Sequence, residues 1–171
     1  LAMQHGHSVL RVNHRGCGSG RGLARRPYHS GCAEDLASAI QAARMRWPKK
    51  SVLAIGFSLS ANALLLLLSG LRDERLGREL ERPDFAIAVN APIHLQRCSE
   101  LLGRGLNRIY DIKFYLQCRR DVMAADIDPA VKARLPRLTS LYRFDSLYTA
   151  PAGGFASREH YYESCSTYVL L

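Results

Sequence analysis

No C-x-x-C pair occurs in the 171 residues, and the five cysteines, Cys17, Cys32, Cys98, Cys118 and Cys165, stand far apart with no tight spacing to histidine. That pattern excludes a disulfide framework and a close-set zinc site, and it predicts reduced thiols in a cytoplasmic protein that uses no metal. Long apolar runs are missing as well. The longest, residues 63–68, falls far short of the ~18 residues needed to cross a bilayer. No signal peptide is visible. Neither methionine nor a charged leader opens the sequence, and residues 1–5 read as the tail of a helix, so the chain is expected to be part of a longer protein. A membrane anchor elsewhere in that protein, and peripheral membrane contact, are left open.

Acidic residues are few: 15 against 24 lysines and arginines, for a net charge of +9. Such an excess raises nucleic acid as a partner. The densest basic cluster, Arg11, Arg15, Arg21, Arg25 and Arg26, is threaded through glycines. The aromatic residues Tyr110, Phe114, Tyr115, Tyr142 and Tyr148 lie far from it. Without aromatic interleaving there is no base-stacking motif, and specific nucleic-acid binding is not expected. The glycine-rich stretch at 16–22 also lacks G-x-G-x-x-G and a Walker lysine, so it reads as a permissive loop after a strand rather than a phosphate cradle.

What is present is the composition of a folded domain, with 47% hydrophobic and 23% charged residues. Residues 8–13 read as a strand that ends in the glycine loop. A helix follows, with Ser30 as its cap, Glu34 and Asp35 in its first turn, apolar Leu36, Ile40, Ala43 and Trp47 at helical spacing, and Pro48 as its stop. Residues 51–56 read as a second strand, and about 60–71 as a helix apolar nearly all round and therefore buried. The charged stretch 72–82 crosses solvent to a third strand at 85–90. Strand, helix, strand, helix, strand with short links implies parallel pairing in an α/β fold. Beyond residue 93 the texture turns helical, aromatic and basic. Helices are expected at 95–102, 107–120, 129–135 behind an Asp128 cap, and from Ser157 to Cys165, with a loop at 150–155 and a strand opening at 168–171. The chain thus divides into a core portion, 1–92, and a helical, cap-like portion, 93–171.

The whole is organised around Ser51-Val-Leu-Ala-Ile-Gly-Phe-Ser-Leu-Ser-Ala-Asn-Ala and the five leucines that follow. A strand runs through Gly56 into a sharp turn with Ser58 at its apex, and a buried helix begins at once. This is the mechanical sense of the nucleophile elbow G-x-S-x-G, with Gly56 and Ser58 matching and Ser60 standing where the second glycine belongs. A serine hydroxyl needs a base to remove its proton and donors for the anion formed on attack. The Leu59 amide, at the start of the helix, is one such donor. Downstream of Ser58 only His94 and His160 remain. His94 reads as a loop residue and His160 as part of the last helix, so the base and its acid are expected outside this chain.

Residues 13–35, N-H-R-G-C-G-S-G-R-G-L-A-R-R-P-Y-H-S-G-C-A-E-D, together with G-F-S-L-S-A-N at 56–62 and R-G-L-N-R-I-Y at 104–110, resemble the YheT-like branch of the α/β-hydrolases. Its members typically show N-x-R-G-C-G, then Y-H-x-G-x-x-x-D-L, then G-F-S-L-G-G-N. The resemblance covers about residues 6–166. It implies a partial α/β-hydrolase fold, a parallel sheet with flanking helices and a helical cap-like segment. It also implies a serine hydrolase of carboxylic esters, with acylglycerols or short-chain acyl esters as substrates and no cofactor. Only Ser58 carries over as a catalytic residue, with the Leu59 amide as half of the oxyanion hole. Residues 1–171 alone are then expected to be inactive. A non-catalytic binding or scaffold protein on the same fold is the alternative.

Overall fold

The structure is a computed structural model and describes residues 2–170. After a 3-10 turn at Ala2–His5 and a second at Gly18–Gly20 come helix α1 (Ala33–Arg46), strand β1 (Leu53–Phe57), helices α2 (Leu59–Leu68) and α3 (Leu71–Leu76), and strand β2 (Phe85–Val89). The remainder is helical: α4 (Leu95–Leu102), a 3-10 turn at Gly105–Asn107, α5 (Arg108–Ala124), α6 (Pro129–Ala133), α7 (Leu141–Phe144), a π-helical turn at Asp145–Thr149, α8 (Ala150–Gly153) and α9 (Arg158–Cys165). The strands pair in parallel from Leu53 opposite Phe85 to Phe57 opposite Val89. The chain is thus a mixed α/β protein with a small parallel sheet flanked by helices, consistent with a partial α/β-hydrolase fold.

The first core forms because α1 and α2 turn their apolar sides to each other and to the sheet. Ala33, Ala37 and Ile40 of α1 meet Leu64, Leu66 and Leu67 of α2, with Val52 and Ala54 packed against them. Burial of each such leucine stabilises by roughly 1.5–3 kcal/mol. Glu34 and Asp35 lie in the first turn of α1 and Arg44 and Arg46 in its last, both in the sense the helix dipole favours. A second core joins Leu95, Ala150, Tyr161, Tyr162 and Cys165, and a third joins Tyr115, Val122, Leu135, Phe144 and Tyr148.

Asn62 sits at 0% exposure in the middle of α2 with its amide fully engaged. Its nitrogen donates to Ser30 Oγ (2.6 Å) and to the Cys165 carbonyl (2.7 Å), and its oxygen accepts from Thr167 Oγ1 (2.7 Å). One satisfied side chain therefore ties α2 to the loop before α1 and to the segment after α9, and leaves no buried polar debt. Gly31 belongs to the same junction: a Cβ there would collide with Cys165 Sγ.

Several sequence expectations are corrected. Residues 8–13 form no strand: they have no ladder partner among the described residues, and Val9, Leu10 and Val12 are about half exposed. An apolar run becomes a strand only where neighbouring backbone accepts its hydrogen bonds, and β1 finds that neighbour in β2. Ser30 does not cap α1. Cys32 holds that position without a side-chain bond, and Ser30 is buried against Asn62 and Tyr161 instead. The apolar helix stops at Leu68 rather than near residue 71, because Gly70 in the left-handed region breaks it from α3. Residues 72–82 do not simply cross solvent, since Arg82 pairs with Asp73 and bonds the Leu67 carbonyl at the open end of α2. Residues 150–155 begin as helix α8, and 168–170 form a turn rather than a strand, with Leu171 outside the described residues.

Among the described residues nothing covers one face of the sheet. Leu53, Ile55 and Phe57 of β1 and Phe85 and Ile87 of β2 alternate onto it, and each is between 47% and 64% exposed. Parallel sheets ordinarily carry helices on both faces. No helix among the described residues is long and apolar enough to cross a membrane.

Candidate active site

Ser58 stands alone between β1 and α2 with φ +51° and ψ −122°, in the left-handed half of backbone space that non-glycine residues avoid. Such strain persists only where the surroundings hold it. Here the Ser58 amide donates to the Val89 carbonyl of β2 (2.9 Å), while its own carbonyl accepts from Ala61 N (2.9 Å) and Asn62 N (3.3 Å). The turn is pinned on both sides. Its sharpness requires Gly56: a Cβ at that position would lie 2.8 Å from Ala61 Cα and from the Ser60 carbonyl oxygen, and 2.9 Å from Ala61 N. All three are backbone atoms at the start of α2.

The next two amides, of Leu59 and Ser60, have no hydrogen-bond acceptor among the described residues. They are the orphan donors of a helix start, where the dipole also favours negative charge. Ser60, which stands where the G-x-S-x-G elbow has its second glycine, does not open the turn. Its hydroxyl is 2.6 Å from His14 Nε2, and the His14 ring stacks on Tyr28 at 5.2 Å.

Ser58 and Leu59 border a cavity of about 470 Å³. The loop at 15–29 forms one wall, through Arg15, Cys17, Tyr28 and His29, and the helical half supplies an apolar wall that includes Leu102, Phe114 and Phe144. Two arginine–carboxylate pairs brace the loop: Arg15 to Asp35 (2.7 and 2.5 Å) and Arg21 to Asp121 (3.1 Å). The Asp145 carboxyl also reaches the cavity, and burial pushes its pKa up to about 6, against the Tyr162 hydroxyl that donates to it (2.8 Å).

Among the described residues, His29 is the one histidine in this wall. Burial, with the Arg72 and Arg15 charges adding to it, pushes its pKa down to about 4, and its Nδ1 accepts from Gly31 N (3.1 Å). It is therefore neutral and occupied with its own loop. His94 caps α4 and stacks on Tyr168 (4.3 Å), while His160 accepts from Ala156 N (3.2 Å) and is exposed. Neither borders the cavity. Among the described residues no carboxylate is hydrogen-bonded to a histidine, and none of them forms a group of three or more metal-ligating side chains. The structure thus brings Gly56, Ser58, Leu59 and Ser60 together in one tight turn, of which Ser58 and Leu59 border the cavity, and leaves His94 and His160 away from it. Sequence reading missed His14 and His29 because both precede Ser58, against the serine-acid-histidine order. The wall from residues 93–171 was missed because no short motif encodes it.

Comparison with known proteins adds an independent line. The chain is 28% identical over 176 aligned positions to "Putative esterase YheT" of Escherichia coli, covering 99% of this chain and 50% of that protein. It is 25% identical over 172 positions to the monoacylglycerol lipase of Saccharomyces cerevisiae, covering 91% of this chain and 36% of that one. The chain therefore spans about half the length of the first relative and about a third of the second. No family model matches it, and no solved structure does. The chain is homologous to both proteins, and its relatives are α/β-hydrolases.

Proposed function

Starting from this kinship with α/β-hydrolases, we propose that Ser58 is the nucleophile of a carboxylic ester hydrolase of the EC 3.1.1 type, with acylglycerols or short-chain acyl esters as substrates. The observation that carries the reading is Ser58 itself: a serine held at φ +51° over a cavity of about 470 Å³, with the free Leu59 amide beside it. Ser58 Oγ attacks the ester carbonyl carbon, and the carbonyl oxygen becomes an anion that the Leu59 N–H receives. The C–O bond to the alcohol then breaks, the alcohol leaves with a proton, and water releases the acid from the acyl-serine. The histidine and acid that move these protons come, on this reading, from outside residues 1–171.

Residues 1–92 serve as part of the hydrolase core and 93–171 as a cap whose apolar side chains receive the acyl chain. A pocket of this size is ordinary for a small-molecule or lipid ligand. Five free thiols suit the cytoplasm. The alternative, a binding module that keeps the fold without the chemistry, draws on the absence of a histidine bonded to Ser58 among the described residues.

Supplying the full-length protein with monoacylglycerols and short-chain p-nitrophenyl esters tests the reading. Turnover in the range of ~1–10³ s⁻¹ is expected on at least one of them. A folded protein that hydrolyses none of these esters would contradict it.

A further inference from the structure

Ser58 is not the best-armed serine in the chain. Two residues on, Ser60 Oγ lies 2.6 Å from His14 Nε2, and no other serine side chain among the described residues bonds a histidine ring. We propose that Ser60 and His14 form a second nucleophile–base dyad at the elbow, able to take up activated acyl or phosphonyl groups without the histidine that Ser58 requires.

The pair has the parts such a dyad needs. Hydroxyl and imidazole are within proton-transfer distance in the resting protein, where many catalytic pairs tighten only with substrate bound. His14 is fixed by stacking on Tyr28, with ring planes 16° apart, so Nε2 stays aimed at Ser60. Burial pushes the His14 pKa below its ordinary value, so the ring is neutral and free to accept a proton. The Asp35 carboxylate, held by Arg15, opposes that shift and favours the imidazolium once it forms. Donors for a developing anion are adjacent, since the amides of Leu59 and of Ser60 itself lack acceptors. Both side chains are partly exposed rather than sealed in the core, which leaves an approach for a reagent. Conversely, a serine at this elbow position has no backbone need to be there: Ser60 is helical, and a glycine would leave His14 Nε2 without its partner.

In the step itself a bond forms between Ser60 Oγ and the electrophilic carbon or phosphorus, and the hydroxyl proton passes to His14 Nε2. The bond to the leaving group breaks with its electron pair. An alkoxide leaves with the proton returned from the imidazolium, whereas fluoride leaves as the anion and the imidazolium gives its proton to water. The inference does not depend on Ser58 being the ester-hydrolase nucleophile.

The test uses the full-length protein, an alkyl fluorophosphonate, and peptide fragmentation that separates Ser58 from Ser60. The wild-type and Ser58→Ala chains are expected to carry the phosphonyl mass at Ser60. Ser60→Gly should remove it while keeping the thermal melt. His14→Gln should slow modification of Ser60 by about a hundredfold or more, the usual weight of a positioned base. Absence of a Ser60 adduct in the wild-type and Ser58→Ala chains overturns the inference, whatever happens at Ser58. An adduct at Ser60 with none at Ser58 supports it and counts against the function proposed above. Equal labelling rates in wild type and in a folded His14→Gln chain also overturn it.

Discussion

With Ser58 as the proposed nucleophile, its replacement by alanine is expected to lower kcat for ester hydrolysis by the full-length protein by about 10⁴ to 10⁶ while leaving the fold intact. Removing the nucleophile of a serine hydrolase costs on this order because the covalent route closes and only binding and oxyanion stabilisation remain. Alanine keeps the same Cβ, so the strain at φ +51° is unchanged. The bonds that pin the turn, Ser58 N to Val89 and Ser58 O to Ala61 and Asn62, are backbone bonds that alanine also makes. Steady-state kinetics on the preferred ester, read beside a thermal melt, checks both halves. Turnover within tenfold of wild type in a folded variant would assign the chemistry elsewhere.

Gly56→Val is expected to damage stability and activity together. The added Cβ meets Ala61 Cα and the Ser60 carbonyl at 2.8 Å, and Ala61 N at 2.9 Å. None of these is a side-chain tip that can swing away, so α2 must move off β1. Overpacking that displaces backbone costs roughly 3 kcal/mol or somewhat more, about 6–12 °C in melting temperature for a domain of this size. The same displacement moves Ser58 and the Leu59 amide, and a shift near 1 Å is worth about 10² in rate. Thermal melts and kcat measured on the one variant decide it. A melt within 2 °C of wild type would mean that the elbow tolerates a side chain there.

The parts legible in the sequence are those where local pattern and final environment agree. Residues 51–68 state a strand, a tight turn and an all-apolar helix, and the structure has β1, Ser58 and α2 there. Residues 95–102 form α4, Asp128 caps α6 through Ala130 N, and Ser157 caps α9, because capping is a local contact. Residues 8–13 failed for the opposite reason. Their apolar run satisfies a strand pattern, but a strand also needs a partner that no local pattern supplies. Ser30 looked like a helix cap until Asn62, 32 positions away, claimed its hydroxyl. The His14–Ser60 bond spans 46 positions and depends on how the glycine loop returns to the elbow. The cavity wall depends on two packed clusters of the helical half, and Asp145 gained its raised pKa from burial rather than from any motif.

Acyl-enzyme trapping on the full-length protein bears most directly on Ser58. The protein is mixed with its preferred ester, quenched in acid within the first turnover, and the acyl mass is located by peptide fragmentation. The acyl group is expected on Ser58. Ester turnover with no acyl group on Ser58, or with the group on another residue, would contradict the assignment.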